Sequence, residues 1–279
     1  MTVTFFTLIV WSISALAGFL GALTGLGGGV VVVPALTLAL GVNMKYAIGA
    51  SLVSVIATSS GAAAAYVREG YSNIRIGMFL EIATTIGAVC GAYLAGHVST
   101  HILAIVFGAV LIQSAYQTVS RGALESVLPV QSDRLGALLR MGGSFPDRGK
   151  TKEYGVCHVP AGFGLMFGAG ALSGLLGIGS GAVKVIAMDR AMRIPFKVST
   201  TTSNFMIGVT AAASAGVYLS RGYIEPSIAM PVMLGVLGGA YAGTKVLVHA
   251  HVKTLRIVFA VVIFALAAEM IVNGILGKV

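Results

Sequence analysis

Two short stretches of this chain combine residue types and spacing that can do chemistry. The first is GLGGGVVVVP, which carries Gly25, Gly27, Gly28 and Gly29. The second is GIGSGAVKV, which carries Gly177, Gly179, Ser180 and Gly181, with Lys184 one helical turn further on. A glycine-rich turn that opens a helix presents backbone N–H groups and the positive end of the helix dipole, a combination that holds small anions. Lys184 would add a full positive charge. Hydroxyls follow each stretch: Ser51, Ser54 and Thr58 in the first half, then Thr200, Thr201, Thr202, Ser203 and the amide of Asn204 in the second. Together they could replace part of an anion's hydration shell, with Ser51 and Ser203 the best-matched pair. Each feature also has a plainer explanation. The glycines could only let helices cross closely, the hydroxyls could bond between helices, and Lys184 could reach for the nearer interface.

Other titratable groups are sparse. Glu81 and Glu269 lie in apolar segments and are candidates for carrying a proton, though each is near enough to a segment end to be simply solvated. His97 and His101 stand four apart at an expected loop, which suits a metal only if that stretch is helical. Cys90 and Cys157 have no ligand or redox spacing. No G-x-S-x-G, H-E-x-x-H, Walker or C-x-x-C motif occurs, so neither an enzyme nor an ATP-driven pump is expected, and no cofactor or metal.

The elements that must position these residues are set by composition. The chain is 57% hydrophobic and 10% charged, with a mean hydropathy of +0.94; soluble domains carry about 25% charged residues. An all-α polytopic membrane protein is expected, with membrane lipid as a partner. A β-barrel would show alternating segments of about ten residues instead. The first 24 residues lack the basic start of a signal peptide and read as a retained helix. The net charge of +9 fits the basic bias of cytoplasmic loops better than a nucleic-acid partner.

Internal repetition organises the chain. Gly18, Gly25, Gly27 and Gly29 fall on Gly170, Gly177, Gly179 and Gly181 at an offset of 152 residues. Lys45, Ser51, Thr58 and Tyr66 fall likewise on Lys197, Ser203, Thr210 and Tyr218. Apolar segments are expected at 3–24, 30–41, 46–67, 77–96 and 101–119, and again at 160–176, 182–192, 198–219, 228–248 and 254–275. The second segment of each set is too short to cross a core of about 30 Å. Each glycine run therefore belongs to a broken or re-entrant helix inside the membrane zone. The expected organisation is a transmembrane repeat at 1–119, a linker at 120–158 and a second repeat at 159–279.

Basic residues give an orientation. The linker holds Arg121, Arg134, Arg140, Arg148, Lys150 and Lys152, which places it in the cytoplasm. Matched loops then carry opposite bias: 97–101 has no Lys or Arg, whereas 245–256 has Lys245, Lys253 and Arg256. Two copies in inverted orientation require that reversal, and paired interrupted helices in inverted repeats mark a transporter with its site near the midplane. Within the linker, 132–141 is expected to form a short interfacial helix capped by Asp133, acting as a tether.

The glycine segment leading to Pro34, its second copy GLLGIGSGAVKV, and IPFKVSTTTSN resemble the TauE/SafE family of sulfite and organosulfur anion exporters. The similarity covers nearly the whole chain outside the linker. It implies a multi-pass carrier of the bacterial inner membrane that moves sulfite, thiosulfate, sulfoacetate or a similar anion without ATP, with a homodimer as the assembly to consider. Ser180 departs from the motif's middle glycine, and Ile186 stands where the repeat would place a second proline. The added hydroxyl points to a substrate other than bare sulfite. A carrier for another small organic anion and a non-transporting membrane scaffold are the competing expectations.

Overall fold

The structure, a computed structural model, describes residues 3–24, 28–68, 72–120, 132–147, 150–247 and 252–277. Eleven helices and one β-hairpin occur among them. Helix α1 spans Val3–Thr24. The short α2, Gly29–Pro34, continues as a π-helical turn, Ala35–Ala39. Then come α3 (Met44–Arg68), α4 (Ile74–His97) and α5 (Thr100–Ser120). After the linker follow α7 (Val159–Leu176) and the short α8 (Gly181–Ile186), whose π-helical continuation is Ala187–Ala191. The chain ends with α9 (Phe196–Ser220), α10 (Pro226–Leu247) and α11 (Val252–Ile275). The offset of 152 carries α2, its π turn and α3 onto α8, its π turn and α9, residue for residue. Each short helix with its continuation covers about 16 Å at 1.5 Å per residue, roughly half of a bilayer core.

Among the described residues, five helices are long and apolar enough to cross a membrane: α1, α4, α5, α7 and α10. The chain is an all-α polytopic membrane protein. Helices α3 and α9 are each 25 residues long but more polar, and their position explains why. They pack against each other inside the bundle, with Ser59 beside Gly208 and the Tyr46 ring edge-on to Tyr223 just past the end of α9. An interior helix does not need a lipid-compatible surface, so hydroxyls are tolerated there if bonded. These contacts make α3 and α9 antiparallel. Helices α5 and α11 are antiparallel too, since Gly108 meets Ala267 and Ile271 while Gly274 meets His101 and Ile105.

The tightest crossings are α1 with α10 and α4 with α7. Both use glycines spaced four apart: Gly235 and Gly239 on α10, Gly87 and Gly91 on α4, Gly170 and Gly174 on α7. A Cβ on Gly91 would lie 2.0 Å from the carbonyl oxygen of Ala171, and one on Gly174 would lie 2.0 Å from that of Ala88. Helix backbones thus touch directly, which is how membrane helices gain packing energy without a hydrophobic driving force between them.

The linker is more than a tether. Its helix α6, Arg134–Leu138, is capped as expected, with Asp133 Oδ1 accepting from the Gly136 N–H at 2.7 Å. It is followed by an antiparallel hairpin, β1 (Gly143–Asp147) and β2 (Lys150–Tyr154), which the hydropathy pattern does not reveal. Met141, Phe145, Tyr154 and Val156 bury themselves with Ile76, Leu80, Val159 and Met166. Asn73 fastens the joint: it caps α4 through Ile76, and its Nδ2 donates to the Met141 carbonyl and to the Tyr154 hydroxyl.

Candidate anion site

Gly25 and Gly27 lie outside the described residues. The remainder of the first glycine run, Gly28 and Gly29, is buried at the start of α2. Gly28 has an ordinary helical φ of −66° and faces Val236 of α10. Gly29 faces Ser51 of α3, and a Cβ there would lie 2.5 Å from Ser51 Oγ and 3.3 Å from the carbonyl oxygen of Gly177. Ser51, fully buried, donates its hydroxyl to that same Gly177 carbonyl at 2.8 Å. The two glycine segments, one from each half of the chain, therefore meet at Ser51. We expect Gly29→Ala to displace Ser51 from Gly177 and lower the thermal stability by about 1–2 kcal/mol, the cost of a buried hydrogen bond left unmade. Gly28→Ala should cost less, because its added carbon meets the end of the Val236 side chain. Melting curves of the two variants in detergent test this order.

The second run is the more contorted. Gly177 ends α7 at φ +68°, Gly179 follows at +70° and Ser180 at +43°. A left-handed serine costs free energy where glycine would not. Its hydroxyl is buried and has no hydrogen-bond partner. The matched position, Gly28, is right-handed, so the serine stands where the backbone least favours it. Strain and an orphan hydroxyl at one residue are the pattern that functional sites tolerate. Gly181 opens α8, and Ser203 of α9 donates to its carbonyl at 3.3 Å.

Lys184 is completely buried. It does not reach an interface: its ammonium donates to Thr210 Oγ1 of α9 at 2.5 Å. Thr210 in turn donates to Glu81 Oε1 of α4 at 2.7 Å, and Thr85 donates to the same oxygen at 3.2 Å. Glu81 is only 8% exposed, so it is no solvated carboxylate at a helix end. The lysine charge is therefore balanced through a threonine by a carboxylate from the other half of the chain. Neither charge is duplicated: Lys184 matches Val32 and Glu81 matches Met233 at the repeat offset. Residue type and spacing do not mark Thr210 and Thr85: Thr210 pairs with Thr58 at the repeat offset, and Thr85 has no matched hydroxyl.

Other candidates lie elsewhere. Thr202 accepts from the Asn73 backbone N–H at 3.0 Å and helps hold the start of α4. Asn204 is half-buried on α9, and Glu269 sits on the exposed face of α11. His97 ends α4 and His101 falls in α5, so their spacing does not fall on a single helix. Among the described residues no cluster of three or more His, Cys, Asp or Glu could hold a metal.

Comparison with known proteins decides the family. The model of the sulfite exporter TauE/SafE family matches residues 10–270. The chain belongs to the TauE/SafE sulfite exporter family. It is 26% identical over 267 residues to the probable membrane transporter protein YunE of Bacillus subtilis, covering 93% of this chain and 95% of that protein. It is 25% identical over 240 residues to the probable membrane transporter protein YdhB of the same organism, covering 85% and 87%. A probable membrane transporter protein of Methanocaldococcus jannaschii is 26% identical over 270 residues, covering 92% of each chain. No solved structure matches. The protein is thus a TauE/SafE membrane transporter and not an enzyme. In a TauE/SafE transporter, polar groups gathered in the interior of the bundle, as at Ser51, Ser180 and Lys184, become the natural place to seek the substrate.

Proposed function

We propose that this TauE/SafE protein is a secondary transporter that exports a small sulfur-containing anion, such as sulfite, thiosulfate or sulfoacetate, across the bacterial inner membrane. The observation that carries this reading is the meeting of the two glycine segments at Ser51, with the buried ammonium of Lys184 one turn beyond Ser180. We take Gly28, Gly29, Ser51, Gly177, Gly179, Ser180, Gly181, Lys184 and Ser203 as the lining of the anion site, with Glu81 beside it. Residues 1–119 and 159–279 are read as inverted repeats joined by the linker at 120–158. Support comes from the antiparallel packing of α3 on its counterpart α9 and of α5 on α11. The exchange of partners, α1 with α10 and α7 with α4, supports it as well. A cytoplasmic linker is consistent with its docking beside the basic start of α4, where Arg75 donates to the Arg140 carbonyl at 3.4 Å.

The unpartnered hydroxyl of Ser180 favours, as a second reading, an anion with an additional acceptor group, such as a sulfonate that also bears a carboxylate. Flux of sulfite, thiosulfate, sulfoacetate and acetate into proteoliposomes tests both. The expected result is transport of at least one sulfur anion well above acetate. Rates equal to empty liposomes for every sulfur anion would overturn the proposal and favour a scaffold.

A further inference from the structure

The Lys184–Thr210–Glu81 chain has a consequence for how an anion enters. Resting on the anion-carrier reading above, we propose that Glu81 and Lys184 form one charge-compensated device in which each anion bound at Lys184 is accompanied by a proton taken up at Glu81. The starting point is electrostatic. Lys184 and an ionised Glu81 together are neutral, and both are buried. An anion added to that pair leaves a net negative charge in a medium of low dielectric, where uncompensated charge is costly. Protonating Glu81 removes one unit of that negative charge, all of it for a monoanion and half of it for a dianion, and releases the ammonium to the incoming anion.

The hydrogen bonds fit that exchange. Glu81 Oε1 receives Thr210 and Thr85, whereas Oε2 is buried with no partner. An ionised carboxylate pays for an unmet oxygen; a protonated one places its hydrogen there. Lys184 has three N–H donors and spends one on Thr210, which leaves the ammonium able to hold a ligand.

The surroundings isolate the pair. Among the described residues, α7 carries no titratable side chain, and on α9 the titratable residues are Lys197 and Tyr218, near its two ends. Tyr218 is turned to the Leu175 carbonyl. On α4 itself, Arg75 lies in the first turn beside the linker, and Cys90, Tyr93 and His97 occupy the last two turns. Tyr154 of the hairpin is engaged with Asn73, and Asp189 and Arg190 sit in the π-helical continuation beyond α8. Lys184 is left as the charge that governs Glu81. The pairing also explains why both unmatched charges occur together, one in each half of the chain: either alone would be buried without compensation.

The step balances simply. One proton and one anion are taken from one side and both are released on the other, so no reductant, nucleotide or metal is needed. Proton and anion binding favour each other by linkage, and the direction of net movement is set by the sum of the anion and proton gradients.

Calorimetric titration of the purified chain in detergent, with thiosulfate and with sulfoacetate, tests this. Both anions stay fully ionised through the neutral range, so any proton comes to the protein. In buffers of different protonation enthalpy we expect uptake of about one proton per anion, with affinity rising about tenfold for each unit fall in pH while Glu81 is ionised in the free protein. Glu81→Gln should bind without proton uptake, at an affinity that no longer changes with pH. Wild-type binding with no proton uptake overturns the inference and leaves the carrier reading standing. Proton uptake that persists in Glu81→Gln also overturns it, by placing the proton elsewhere. Failure of the wild type to bind either anion overturns the carrier reading, and the inference with it. The wild-type stoichiometry decides the matter even if Glu81→Gln does not fold.

Discussion

Lys184→Ala abolishes sulfur-anion flux in proteoliposomes while the protein still inserts: this is the expected result for the residue that supplies the only buried ammonium among the described residues. Two effects combine in it. The anion loses its positive partner, and Glu81 is left with a hydrogen bond from Thr210 but no charge to offset its own. Breaking a buried pair from one side costs about 3–5 kcal/mol, so the variant should also melt earlier. Adding Glu81→Gln to Lys184→Ala removes the stranded charge and should recover most of that stability without restoring flux. The double variant therefore separates the two roles. Wild-type flux in Lys184→Ala, at equal protein in the membrane, would remove Lys184 from the site.

The second large effect concerns the frame that holds the site. Gly91→Leu should prevent accumulation of folded protein. A Cβ at Gly91 would stand 2.0 Å from the Ala171 carbonyl oxygen, 2.8 Å from its carbon and 2.9 Å from its Cα. All three are backbone atoms of α7, which cannot swing aside as a side chain can. The helices must separate, losing the contacts along α4 and α7 and moving Glu81, ten residues or nearly three turns away on the same helix, from Thr210. Overpacking commonly costs about 1–3 kcal/mol; a backbone contact this short, repeated by its neighbours at Gly87, Gly170 and Gly174, should exceed that range. Gly164 and Gly168 provide the control, since a Cβ at either meets nothing within 4 Å. Gly164→Ala and Gly168→Ala should leave yield and melting temperature unchanged or slightly raised, given the higher helix propensity of alanine. Equal yields for Gly91→Leu and Gly168→Ala would show that the α4–α7 crossing is not what holds the bundle together.

Much of the frame was legible in the residues taken in order. Segment lengths, the two short helices and the recurrence at 152 residues depend on local composition and on comparison of the chain with itself, and both survive without a third dimension. The capped helix at Arg134–Leu138 was readable for the same reason, since Asp133 and Gly136 are three residues apart. The hairpin at 143–154 was not: its strands are short and polar, and they are stabilised by burying Phe145 and Tyr154 against α7, which follows directly, and against Ile76 and Leu80 of α4, some seventy residues earlier in the chain. The polarity of α3 and α9 was visible, but not that it marks the two helices held inside the bundle.

The site divides along the same line. The glycine runs, Ser51, Ser203 and the isolated Lys184 stand out by type and spacing, because glycine density and a lysine in an apolar segment are anomalies at single positions. That Gly29 and Gly177 meet at Ser51 depends on a bond between residues 126 apart. That Lys184 answers to Glu81 depends on Thr210, itself 129 residues from Glu81. In sequence, a lysine at membrane depth reads as a free positive charge and a glutamate near a helix end reads as solvated. Only the packing of α4, α8 and α9 turns them into a neutral buried pair, because Coulomb energy and desolvation depend on distance and dielectric, and neither is a property of position along the chain.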